Sequence, residues 1–117
     1  IEALAEGLTK LEFLMGELKQ ATNTVIEKAK KDPDEIGAAS YPYMELMGLT
    51  LFCFMWQRIL ASVHLAKVNN DGSEDYLNGL LGSGDFFMNR ILPKSKTLLE
   101  EIEAGAKSLM AVTADQF

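Results

Sequence analysis

Between Glu45 and Arg58 the chain runs through twelve residues, Leu46 to Gln57, without a single charge, and a helix drawn through them is apolar on nearly all sides. A helix of that kind needs neighbours around it, so the segment from Met44 to Ala66 is expected to be the central, buried element of a bundle. The uncharged stretch falls short of the roughly 20 apolar residues that a membrane-spanning helix requires, and no membrane association is expected.

The neighbours are supplied on both sides. In the first thirty residues Leu4, Leu8, Leu11, Met15, Leu18, Thr22, Val25 and Ala29 alternate at spacings of four and three, the period of one helical face. This predicts a long amphipathic helix, beginning in a pattern that includes Ile1 and spanning on the order of 45 Å. Lys30-Lys31-Asp32-Pro33 ends it, and Asp32 or Asp34 caps the next. The second helix, about Asp34 to Val68, contains Tyr41-Pro42, where the missing donor predicts a kink or an interruption. Asn69-Asn70-Asp71-Gly72 is a turn. A third helix, about Glu74 to Leu92, places Leu77, Leu80, Phe87 and Ile91 on one face with Gly84 in the gap. Its glycines at 79, 82 and 84 cost about 1 kcal/mol each, an expense that close helix contact would offset. Pro93 disfavours helical geometry at Leu92, so Lys94 to Ala104 is either a fourth helix or a kinked continuation, ended by Gly105. No strand-like alternation occurs. The expected fold is all-α, an antiparallel four-helix bundle with a short C-terminal extension, in one domain of residues 1–117.

The balance of 17 acidic against 11 basic residues gives a net charge of -6, which disfavours nucleic acid and anionic lipid as partners. A single cysteine, Cys53, allows no intrachain disulfide, and cytoplasmic localisation is expected. The chain starts at Ile1 inside a helical pattern, which suggests an excised fragment or a processed product.

Catalytic chemistry is scarce. With one His and one Cys, neither a zinc site nor a carboxylate di-iron site can be assembled, because the latter requires Glu-x-x-His and Ala61 stands three residues before His64. Reading Asn69 to Asp75 as a calcium loop puts Lys67 at the first ligand position and Asn78 at the twelfth. The Gly79-Leu80-Leu81-Gly82-Ser83-Gly84 run follows no strand and matches no phosphate cradle. Cys53, between Phe52 and Phe54, reads as a buried, inert thiol. His64, with Lys67 three residues later, has the spacing of a histidine phosphotransfer module, although Val68 stands where that family usually has Gly. A hydrogen-bonded helix histidine is the plainer reading.

Phe-Phe-Met-Asn-Arg-Ile-Leu-Pro at 86–93, Glu-Ala-Gly-Ala-Lys-Ser-Leu-Met at 103–110 and Thr-Ala-Asp-Gln-Phe at 113–117 together resemble the C-terminal helical domain of bacterial FAD-dependent acyl-CoA dehydrogenases. The subgroup includes 3-methylmercaptopropionyl-CoA dehydrogenase-like proteins. Leu46-Met47-Gly48 and Met55-Trp56-Gln57-Arg58 extend the resemblance over most of residues 43–117, while the Gly-rich 79–84 segment and the polar insertion at Asn70 depart from it. The resemblance implies a parent that oxidises an acyl-CoA to the 2,3-enoyl-CoA with FAD, its catalytic glutamate and flavin site lying upstream, so no catalytic, cofactor or metal residue is expected here. It implies an accessory role: packing on the catalytic body or at a subunit interface of a homo-oligomer that binds acyl-CoA. Trp56, Phe86 and Phe87 are the candidate anchors, with plain core the simpler reading of Phe87. Arg90, Lys94 and Lys96 gather around Pro93 as candidate anion contacts, where a solvated basic face is the simpler reading. The alternatives are phosphotransfer at His64, or a helical interaction domain with no enzyme attached.

Overall fold

The charge-free segment lies within a single 35-residue helix, α2 (Asp34–Val68), and everything else in the fold is arranged along one side of it. The computed structural model describes residues 2–117; Ile1 and its helical assignment lie outside the described residues. α1 (Glu2–Lys31) precedes α2, and α3 (Glu74–Phe86), a π-helical turn (Phe87–Ile91), α4 (Lys94–Ala104) and α5 (Lys107–Met110) follow it. A 3-10 turn, Ala114–Gln116, closes the chain. The described residues contain no strand, and the fold is an all-α bundle.

The connections follow from local chemistry. Asp32 accepts the backbone N–H of Asp34 at 3.0 Å, satisfying one of the free amides at the start of α2. Asn70 at φ 51° and Gly72 at φ 91° turn the chain between α2 and α3, and the Ser73 hydroxyl accepts the Tyr76 N–H to cap α3. Gly105, at φ 74° and ψ -168°, ends α4 in a region essentially reserved for glycine.

The interruption expected as one outcome at Pro42 is absent, and so is the departure from helical geometry expected at Leu92. Pro42 does not break α2: its ring is buried on the packed side, where it fills core volume as the helix runs on. Leu92, before Pro93, stays helical at φ -57° and ψ -33°. The π turn makes this possible. A proline ring in a helix collides with the carbonyl four residues back, and here the turn is widened, with Leu92 N–H reaching back to the Phe87 carbonyl at 2.8 Å. The extra residue also lets Phe87 and Met88, neighbours in sequence, both face the core. Of the two readings of residues 94–104, the backbone geometry gives a separate α4 reached through a helical bend.

Leu46, Leu49, Cys53, Leu60 and Val63 on α2 form the core with Leu11 and Leu14 of α1, Phe87 and Met88 of the π turn, and Leu92 and Ile102 beyond it. Of the three glycines of α3, close helix contact holds for Gly84 alone, where an added Cβ would lie 2.9 Å from Leu60 Cδ2; Gly79 and Gly82 have open space above them.

Candidate interaction surface

Helical phase divides α2 in two. Leu46, Leu49, Cys53, Leu60 and Val63 recur at one face and are buried, whereas Met44, Leu51 and Met55, with Gly48 among them, recur at the opposite face and are open. Tyr41, Phe52, Met47 and Phe54 flank that open stripe and are exposed as well. The expectation of a helix surrounded by neighbours is therefore corrected: α1, α3 and α4 cover one side of α2, and Leu51 remains 57% exposed, Phe52 60%. In length and hydropathy α2 would suffice to cross a membrane. Its packed side is held against α1, α3 and α4, and α1 carries the exposed charges Lys10, Glu12, Lys19 and Glu27.

The open surface continues onto α1. Thr22, Val25 and Ile26 face Ile36, Ala39 and Tyr43 across a groove of about 650 Å³, lined almost entirely by carbon. Three hydroxyls line this groove: Tyr43 Oη lies 2.7 Å from Thr22 Oγ1, Thr22 donates to the Leu18 carbonyl, and Ser40 donates to the Gly37 carbonyl. A second groove, of about 550 Å³, runs between Met55, Ile59 and Val63 of α2 and Tyr76, Leu77 and Leu80 of α3, with Arg58 at its edge. Glu45 and Arg58, which bound the uncharged stretch, are both exposed and make no ion pair among the described residues.

The residues singled out from sequence are distributed as follows. Trp56 and Phe87 stack on each other, ring centroids 6.3 Å apart, and Phe87 is buried. Their rings are spent within the domain, which leaves Phe86, 58% exposed, as the aromatic of the three that faces outward. Arg90, Lys94 and Lys96 are all solvent-exposed around the Pro93 bend. His64 is half-buried in a cleft of about 300 Å³ with Glu6, Lys10, Asp85 and Asn89. Cys53 is fully buried, its Sγ 4.0 Å from Met88 Sδ, and burial pushes its thiol pKa up, opposed by the charge of Lys10. No group of three or more His, Cys, Asp or Glu side chains among the described residues is placed to hold a metal ion.

A contact that sequence reasoning did not identify sits at the far end. Glu35, in the first turn of α2, accepts the Ala106 N–H at 3.2 Å, and Lys28 of α1 donates to the Glu103 carbonyl at 3.0 Å. The Glu-Ala-Gly-Ala string at 103–106 is thus clasped to the α1–α2 turn. An N-terminal acid and a basic last turn were visible in the sequence, but only folding brings them to residue 105.

These features describe an all-α domain whose longest helix carries one open apolar face. The family model described as acetyl-CoA dehydrogenase C-terminal like matches residues 1–113, and the chain belongs to that family. No curated protein matches the chain.

Proposed function

We propose that residues 1–117 form a single accessory C-terminal domain of a longer FAD-dependent acyl-CoA dehydrogenase, and that the domain packs against the catalytic body or between subunits. Its parent oxidises an acyl-CoA thioester to the 2,3-enoyl-CoA; the domain stabilises the assembly that holds the acyl-CoA cleft and performs no chemical step. The observation that carries this reading is the open apolar face of α2 in a chain matched over residues 1–113 by the dehydrogenase C-terminal family. Contiguous exposed apolar faces occur at protein and membrane contacts, and the family match favours a protein here.

The residues present do not fit a flavin. An isoalloxazine and a pyrophosphate need converging donors, and the groove between α1 and α2 offers three hydroxyls, Thr22, Ser40 and Tyr43, all engaged in hydrogen bonds within the domain, and one rim cation, Lys30, which is paired with Glu27 at 2.9 Å. Flavin chemistry is accordingly assigned to the upstream body.

The test is to purify the full polypeptide that carries this domain and add an acyl-CoA. Bound flavin whose yellow absorbance bleaches on addition supports the reading. A polypeptide that binds no flavin overturns it.

A further inference from the structure

The groove between α1 and α2 has a hydrogen-bonding polarity that follows from counting protons. Thr22 donates its single hydroxyl hydrogen to the Leu18 carbonyl at 2.7 Å, so in the contact between Thr22 and Tyr43 it is the Tyr43 hydroxyl that donates. Ser40 gives its hydrogen to the Gly37 carbonyl at 2.9 Å, and the Ile36 N–H, in the first turn of α2, bonds the Pro33 carbonyl. Every hydroxyl lining the groove has therefore placed its hydrogen inside the domain and keeps lone pairs to offer. The one charged residue lining it, Lys30, is engaged with Glu27. The rest of the wall is carbon, from Val25, Ile26 and Ala29 on α1 and Ile36 and Ala39 on α2, around a volume of about 650 Å³.

Such a wall suits an occupant that is large, apolar, and a donor without being an acceptor. A carboxylate, a thioester or a carbonyl would bring lone pairs to a wall that already presents them. Among side chains, Ser, Thr, Tyr, Asn, Gln and neutral His each bring an acceptor with their donor, and Lys or Arg would meet no carboxylate in the lining. Tryptophan alone combines a broad apolar ring with a neutral N–H and no acceptor. It is also among the residues that most often anchor protein contacts.

We infer that this groove seats a tryptophan side chain of the protein that covers α2, with the indole N–H donating to Tyr43 Oη. The inference rests on the reading of the open face as a protein contact, and it names the residue type that anchors that contact. The groove is continuous with the open face of α2, so one partner surface covers both.

Methyl NMR of the 117-residue chain tests this with the side chain itself, 3-methylindole, against 3-methylbenzofuran, a ring of the same shape in which an ether oxygen replaces the N–H. The benzofuran is the more apolar of the two, so a groove that selects by hydrophobicity alone binds it more tightly. The expected result is the opposite: 3-methylindole shifts the Val25, Ile26 and Ile36 methyl resonances with an affinity about 3- to 10-fold higher, the range of one net hydrogen bond. Tyr43→Phe, which keeps the ring, removes that preference, and Ile36→Ala, at an exposed position, weakens both ligands. Tighter binding of the benzofuran, a preference that survives in Tyr43→Phe, or shifts confined to the groove between α2 and α3 overturns the inference. In the assembled full polypeptide the same methyls are expected not to respond to 3-methylindole, because the partner's tryptophan already fills the groove. A response as strong as in the 117-residue chain overturns the assignment to a protein side chain. Selective binding by the chain, together with a full polypeptide that holds no flavin, supports the selectivity of the groove and overturns the dehydrogenase reading alone.

Discussion

Cys53 sits at the meeting point of α1, α2 and the π turn with none of its surface exposed, and its raised pKa follows from that position. The folded thiol keeps its proton where an unfolded thiol, with an ordinary value of 9.0, loses it. The corresponding stability is fully present below that ordinary value and is lost as pH rises through the raised folded value. Urea midpoints measured from about pH 8 to 10 should therefore fall more for the natural chain than for Cys53→Ala, and a thiol reagent should label Cys53 only on unfolding. Gly84 gives a second residue-scale expectation. An alanine there meets Leu60 and Trp56, so Gly84→Ala should cost about 1–3 kcal/mol of overpacking in spite of its better helix propensity. At Gly16, where nothing lies within 4 Å, the same change should stabilise by about 0.5–1 kcal/mol. Thermal denaturation of the two variants reads both signs.

Among the elements, α1 and α2 were legible from sequence at both ends because their stops are local: Lys30-Lys31-Asp32-Pro33 and Asn69-Asn70-Asp71-Gly72 supply charge, Pro and turn chemistry at the boundary itself. The π turn was not legible. Its bond from Leu92 to Phe87 exists because Phe87 and Met88 both pack inward and Pro93 needs room, and neither condition is visible in a window of sequence. The interruption expected as one outcome at Pro42 does not occur, since its buried ring contributes to packing that its missing donor only partly offsets. The clasp at residues 103–106 joins groups 71 and 75 positions apart, beyond any local pattern. Gly105→Ala should cost about 1–3 kcal/mol because its backbone lies in a region L-residues avoid. Glu35→Gln, which keeps an acceptor, should leave amide exchange at Ala106 near that of the natural chain, whereas Glu35→Ala should accelerate it and that of α5.

At the scale of the molecule, the sequence announced an apolar central helix but could not say whether its neighbours belong to the same chain. Periodicity identifies faces that need covering; the covering partner is a matter of tertiary and quaternary structure. One side of α2 is covered by α1, α3, the π turn and α4, and the other side is open. The candidate anchors divide along the same line, with Trp56 and Phe87 turned inward and Phe86 outward. Methionines report this division directly, because Met44, Met47 and Met55 lie on the open side at 60%, 39% and 46% exposure and Met88 is buried at 8%. The decisive measurement is residue-resolved peroxide oxidation of these four in the assembled full polypeptide, read by mass spectrometry. If a protein partner covers α2, all four oxidise slowly, Met44, Met47 and Met55 at rates close to Met88. If those three oxidise many times faster than Met88 in the assembled protein, the face is bare and the domain is not held through it.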